Sequence, residues 1–322
     1  MPPAGEQVIW GKAFEYACLM AIYNALKDNQ EVIIEDTPQV RTAERFYKED
    51  FIDTVNLTAA AEGAVKMLMR LEPQLVYPAD NKPLYLSLQP DSAGKAGDVR
   101  DVLCIRKQNE WEIGISCKHN HEAVKHSRLS KTIDFGKEWF GIPCHQSYFD
   151  KINPIFDNLA RMRAESQGKA LWSDLPDKVN DVYKPILNAF LEEINLLYFE
   201  NGAVIPERLI KYLIGRNDFY KVITNDSRRY VRIEAINLYG TLNRKAEGNR
   251  PINDVPRLAL PSRIYFTGYE DNREGTIKIA CDRGWEISFR IHNASSKIEA
   301  SLKFDVNLIS MPSSIVSYTE PY

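Results

Sequence analysis

Apolar residues recur at steps of three and four along the first fifth of the chain. "IWGKAFEYACLMAIYNALKD" (9–28) and "TAAAEGAVKMLMRL" (58–71) both carry this spacing, which predicts amphipathic helices. On the first helix Glu15 lines up with Leu19, Ile22 and Leu26. A carboxylate thus stands on the stripe that should face the core, where it needs a partner. A turn-rich stretch (74–97) follows, and then two short apolar runs, "DVLCIR" (101–106) and "WEIGISCK" (111–118), separated by the polar "KQNE". That arrangement predicts a β-hairpin. Helical spacing returns over 121–215, including "KPILNAFLEEINLLYF" and "PERLIKYLIGR". From 219 onward the pattern is strand-like: "FYKVITN", "RRYVRIEAINLYG", "TIKIACD", "WEISFRIHN" and "IEASLKFDVNLIS". The expected organisation is an α/β (α+β) protein with two regions, residues 1–218 and a β-rich 219–322.

Composition adds limits. The chain has 322 residues, 44% hydrophobic and 26% charged, with a formal net charge of −3. A polyanionic partner would therefore be held by local patches and not by a global field. Five scattered cysteines without CxxC spacing point to reduced, buried thiols and fit neither a disulfide framework nor a common zinc pattern. No stretch approaches the ~20 apolar residues of a membrane span, and the N-terminus lacks a basic-then-apolar leader. The expected location is cytoplasmic.

The hairpin carries the chemistry. Side chains alternate along a strand, so Trp111, Ile113, Ile115 and Cys117 share one face while Glu112, Gly114, Ser116 and Lys118 share the other. A turn at 107–110 brings Asp101 opposite Ser116 and near Lys118. An acid and a lysine meeting at a strand end form either a plain ion pair or the start of a phosphodiesterase site. Such a site needs a hard cation held by carboxylates and positive charge near the phosphate.

The string "GDVRDVLCIR…WEIGISCKHN" resembles the PD-(D/E)XK nuclease core. With "HEAVKHSRLSKTIDFGKEWFGIPC", "GKAFEYA" and "SFRIHNASSKIEASLKFDV", the chain is similar over most of its length to HaeIII-like type II restriction endonucleases, a family whose type member cuts GGCC. The resemblance implies a mixed central sheet flanked by helices in a catalytic region (1–218), and a DNA-recognition region (219–322). It also implies Mg²⁺ as cofactor, no organic cofactor and no membrane. The implied partner is double-stranded DNA, cut at a short palindromic site. A two-fold homodimer would match such a site.

Position by position, Asp101 matches the metal-binding aspartate and Lys118 the catalytic lysine, with Asp98 a second candidate acid. The chain departs from the motif at Ser116, where an acid is usual two residues before the lysine. Glu112 lies six residues from Lys118, about 20 Å along a strand, too far to share a cation. Some members of the superfamily carry serine here and take the carboxylate from a following helix, which makes Glu122 the first candidate and Glu15 the second. Each also has a plain reading, as a helix-start carboxylate or a salt-bridged one.

If 121–129 is helical, His121, Lys125 and Arg128 fall on one face at steps of four and three, suited to DNA phosphates or simply solvated. His119 and Asn120 stand beside them as candidate DNA contacts, although the contiguous "HNH" does not make an HNH nuclease. Base reading needs Arg, Lys, Asn, Gln or His on a rigid support. "RIHNASSK" concentrates Arg290, His292, Asn293 and Lys297 between two strand-like runs. The rivals to a restriction endonuclease are a structure-specific repair or recombination nuclease, and a DNA-binding protein that has lost the motif acid.

Overall fold

A computed structural model describes residues 4–77, 82–95, 97–120 and 125–322. The chain runs through helix α1 (Ala4–Leu26), strand β1 (Val32–Ile34), helices α2 (Pro38–Tyr47), α3 (Thr54–Leu71) and α4 (Pro73–Val76), and strand β2 (Leu84–Leu88). Helix α5 (Asp91–Lys95) and strands β3 (Val102–Arg106), β4 (Trp111–His119) and β5 (Lys125–Leu129) follow. Next come helices α6 (Gln146–Glu165), α7 (Lys184–Asn201) and α8 (Val204–Ile214), and strands β6 (Phe219–Asn225) and β7 (Tyr230–Ile236). The last strands are β8 (Ile264–Glu270), β9 (Arg273–Cys281), β10 (Glu286–His292), β11 (Leu302–Ser310) and β12 (Ser317–Pro321).

These elements form two compact units that interleave along the sequence. One comprises Met1–Glu122, Gly215–Leu258 and Ser313–Tyr322, the other Ala123–Ile214 and Ala259–Pro312. The units are therefore not the consecutive segments 1–218 and 219–322. Periodicity groups β6 and β7 with the strands that follow, but they pair into the sheet of the first unit. Local pattern identifies a strand and is silent about which sheet it joins.

The first unit holds a mixed sheet in the order β1-β2-β3-β4-β6-β7-β12. Strand β4 sits near its middle, antiparallel to β3 and parallel to β6. The hairpin has the expected register, from Val102 opposite Ile115 to Arg106 opposite Trp111. Its turn closes through Glu110 in the left-handed region at φ 48°. Helix α1 packs against β4, and Phe14, Leu19 and Ile22 share a core with Ile113, Ile115 and Cys117. Helix α2 starts on Thr37, whose side chain accepts a hydrogen bond from the Val40 amide at 3.3 Å. Asp53 caps α3 in the same way through Asn56 at 3.0 Å. Such caps satisfy first-turn amides that the helix cannot.

The second unit is an antiparallel sheet in the order β5-β11-β10-β9-β8. One face is aromatic and buried. Phe289 and Phe304 lie 5.4 Å apart, and Phe190 of α7 sits 5.0 Å from Phe304 and 4.7 Å from Phe135. The helix expected over 121–129 is not present at 125–129. That segment is strand β5, running from Lys125 opposite Val306 to Leu129 opposite Leu302. A strand repeats every two residues, so steps of four and three no longer gather one cationic face. Its partner lies some 170 residues further along the chain, out of reach of any local window.

Gly114 has a steric reason. The Arg100 side chain crosses β4 there, and a Cβ at 114 would stand 2.1 Å from Arg100 Cδ. Arg100 cannot simply swing aside, because it is held by Asp98 and Glu112. Gly114→Ala should therefore destabilise the protein by about 1–3 kcal/mol through overpacking, read as a lower urea midpoint with an unchanged m-value.

Candidate active site

Three elements converge at the end of the hairpin. Asp101 immediately precedes β3, and its amide donates to the Ile115 carbonyl at 2.8 Å, so the residue is already held by the sheet ladder. Its Oδ2 accepts from the Cys117 amide at 2.7 Å and the Ser116 hydroxyl at 3.3 Å, and lies 3.5 Å from Lys118 Nζ. Among the described residues nothing bonds Oδ1. Cys117 is where the alternation turns its thiol into the core, leaving its amide to hold Asp101. Ser116, at the position of the motif acid, is 2% exposed. The departure from the motif places a small hydroxyl against Asp101 where a second carboxylate would repel it.

Glu15 comes from α1. It is 6% exposed, on the buried stripe that includes Leu19, Ile22 and Leu26. Burial, then the charge of Asp101, pushes its pKa up to about 7, against the opposing pull of Lys12 and Lys118. Asp101 and Lys118 thus lie within its electrostatic reach. Lys12, one turn earlier, donates to Glu15 at 3.0 Å and bridges to Asp91 of α5 at 2.7 Å. Burial alone would lower the Lys12 pKa, but these two carboxylates outweigh it and hold it high. Sequence reasoning passed over Lys12. Its spacing of three from a buried-stripe glutamate was the available signal.

Asp98 is committed elsewhere. Both its oxygens accept from the Arg100 guanidinium, at 2.8 and 2.7 Å, and Gln89 adds a bond at 2.8 Å. Burial would raise its pKa, but these partners hold it below the ordinary carboxylate range. Arg100 also reaches Glu112, which accounts for the second acid on that strand face.

His119 and Asn120 form a cluster with residues that the sequence did not single out. The His119 ring stacks on Trp10 of α1, with centroids 4.8 Å apart and planes 6° from parallel. Its Nε2 and the Asn120 side-chain amide both sit 2.8 Å from Asp226 Oδ2, and the Tyr322 hydroxyl donates to Oδ1 at 3.0 Å. Burial opposes ionisation of Asp226, but the His119 and Asn120 bonds bring its pKa to about 2. Asp226 lies in the polar stretch 224–230, and nothing local ties it to His119. Glu122 and His121 lie outside the described residues.

The remaining candidates fall in the second unit. Lys125 is in β5, and Arg128 donates to the Ser301 hydroxyl at 2.7 Å and to Glu299 at 3.3 Å. His292 has an oxygen at each ring nitrogen, Asp305 at 2.8 Å and the Asn293 carbonyl at 3.0 Å. Asn293 accepts from the Tyr183 hydroxyl at 3.0 Å and donates to the Ser295 carbonyl at 2.6 Å. Lys297 is exposed and bridges to Leu171 through the backbone. Arg290 is exposed on β10.

A mixed sheet flanked by helices, with an aspartate and a lysine meeting at one end of a central strand pair, defines a nuclease of the restriction-endonuclease-like fold. The family model for the HaeIII restriction endonuclease matches residues 11–312. The chain is 37% identical over 313 residues to the type II restriction enzyme HaeIII of Haemophilus aegyptius, covering 97% of each protein. It belongs to the HaeIII restriction endonuclease family, and is a type II site-specific deoxyribonuclease. No solved structure matches it.

Glu15 supplies a stability test of the site. The folded, metal-free protein keeps a proton on Glu15 that the unfolded chain releases at the ordinary value of 4.5. The associated stability is complete below pH 4.5 and is lost as pH rises through about 7. Glu15→Gln should therefore stabilise metal-free protein at pH 8 relative to wild type by up to about 3 kcal/mol, seen as a higher melting temperature, and lose that advantage at pH 4.5. Calorimetry at the two pH values checks this, and equal melting temperatures at pH 8 would contradict it.

Proposed function

We propose that the enzyme cuts both strands of duplex DNA at GGCC, between G and C, leaving blunt ends with 5'-phosphates, and that it works as a Mg²⁺-dependent homodimer. The observation that carries the chemistry is the convergence of Asp101, Lys118 and the buried Glu15 at one strand end. The site sequence rests on the resemblance to the family, and the dimer on the match between a two-fold protein and a palindrome.

The donor set fits the ion. Asp101 and Glu15 offer hard carboxylate oxygens, and Mg²⁺ is commonly held by one or two carboxylates while keeping several waters. Among the described residues no group of three or more His, Cys, Asp or Glu is placed to hold a metal ion, so two carboxylates with water in the remaining positions would have to suffice. Bound there, Mg²⁺ would activate a water and neutralise charge building on the phosphate.

The chain's own groups do the rest. The Cys117 amide and Ser116 hydroxyl fix the Asp101 carboxylate, so its free oxygen is already aimed. Lys118 sets a cation 3.5 Å from that carboxylate, where it can pair with the scissile phosphate and stabilise the charge that develops in the transition state. Lys12 balances the Glu15 charge. Asp98, neutralised by Arg100, acts as a brace under the strand end, and Glu122 remains a further candidate carboxylate.

One digest of a plasmid of known sequence with Mg²⁺, with the ends sequenced, tests the site: blunt cuts at GGCC are expected, and any other common core refutes the specificity. Asp101→Ala and Lys118→Ala should each lower cleavage by roughly a hundredfold or more while Ca²⁺-supported binding to the same duplex stays within about threefold. A parallel loss of binding would show that these residues hold DNA and do not act on it.

A further inference from the structure

We infer that the solvent face of the second unit's sheet reads guanine edges in the recognition site, through Arg290 on β10 and Lys303 on β11. The inference rests on the endonuclease reading above and adds to it the surface and residues that give specificity. The register pairs Ser288 with Asn307, Arg290 with Asp305 and His292 with Lys303. These six therefore share one face, on which Arg290 is exposed, His292, Lys303, Asp305 and Asn307 are half-buried and Ser288 is buried. The alternate residues Phe289, Ile291, Phe304 and Val306 are buried on the other.

On that polar face, commitment separates the residues. His292 and Asp305 hold each other at 2.8 Å, and neighbouring Arg128 is tied to Glu299 and Ser301. Arg290 and Lys303 make no hydrogen bond or ion pair among the described residues. Several other strand cations are matched to acids: Lys221 and Arg232 to Glu234, and Lys278 to Glu286. Among the described residues these two strand-borne cations have no acidic partner.

The chemistry of the face favours bases over phosphates. A phosphate track calls for cations without interruption, yet Asp305 lies directly opposite Arg290 and Glu299 beside Arg128. A mixed surface of donors and acceptors suits base edges, where guanine offers N7 and O6 to an arginine fork or a lysine. Arg290 and Lys303 are diagonal neighbours on adjacent strands, roughly 7–8 Å apart at the backbone. Long side chains from such positions can reach out from the sheet face to the edges of neighbouring guanines in the major groove. Strands also fix the donors more rigidly than a loop would.

The test uses the intact enzyme with Ca²⁺ on a duplex containing the site mapped by the digest, whichever sequence that is. Each guanine is replaced in turn by 7-deazaguanine, which removes N7 and leaves pairing intact. Wild-type affinity should fall roughly tenfold or more at one or two positions. Arg290→Ala and Lys303→Met should each bind the natural site about ten- to a hundredfold more weakly. Each variant should then be indifferent to 7-deazaguanine at one guanine, while affinity for random duplex changes less than about threefold. Losses from variant and analogue that multiply independently at every guanine would overturn the inference, as would equal weakening on random duplex or no weakening. If the digest maps no defined site, the failure belongs to the specificity reading. Arg290→Lys should recover part of the discrimination, which a loss of folding would not.

Discussion

The hydrogen bond from the Cys117 amide to Asp101 Oδ2 is the contact on which the rest of the candidate active-site geometry depends. It joins the head of one strand to the end of its antiparallel neighbour, so hairpin register and carboxylate position become one quantity. A slip of one residue would turn Lys118 into the core and Cys117 out to solvent. The apolar face from Trp111 to Cys117 makes that slip costly. The core thus specifies the site indirectly, by fixing which side of β4 faces Asp101.

Around this contact the protein gathers like charges that it does not fully neutralise. Glu15 is buried near Asp101, and its raised pKa registers the strain of that placement. Lys12 and Lys118 relieve part of it. Such an arrangement is poorly optimised for stability and well suited to receiving a cation, a trade seen at functional sites in general. By contrast Asp98, Arg100 and Glu112 close among themselves, as expected of groups whose work is structural. The two kinds of acid stand within a few residues of each other and are told apart only by their partners.

The second unit separates its roles by face. Aromatic rings fill the inner side of the sheet, while the outer side mixes paired and unpaired polar groups. Pairing has a consequence for sequence reading. His292 and Asn293 are the right residue types for base contacts, but their hydrogen bonds go to the protein itself. Arg290, from the same short string, is left facing solvent.

Much of the first unit was legible locally because its signals are short-range. The period of two in "WEIGISCK", the polar turn before it and the acid at 101 placed Asp101 against Ser116 and Lys118, and helical spacing put Glu15 on the buried stripe. Other features depended on contacts between distant segments. Whether 125–129 is helix or strand was decided by β11, whose backbone completes the hydrogen bonds that a local helix would otherwise have made. Asp226 reached His119, and β6 joined β4, across about a hundred residues. Sequence by itself determined which side chains could share a face, since that follows from the geometry of one element. Only the tertiary structure decided which of those side chains already had partners, because a charge is matched or left free by whatever the fold brings beside it.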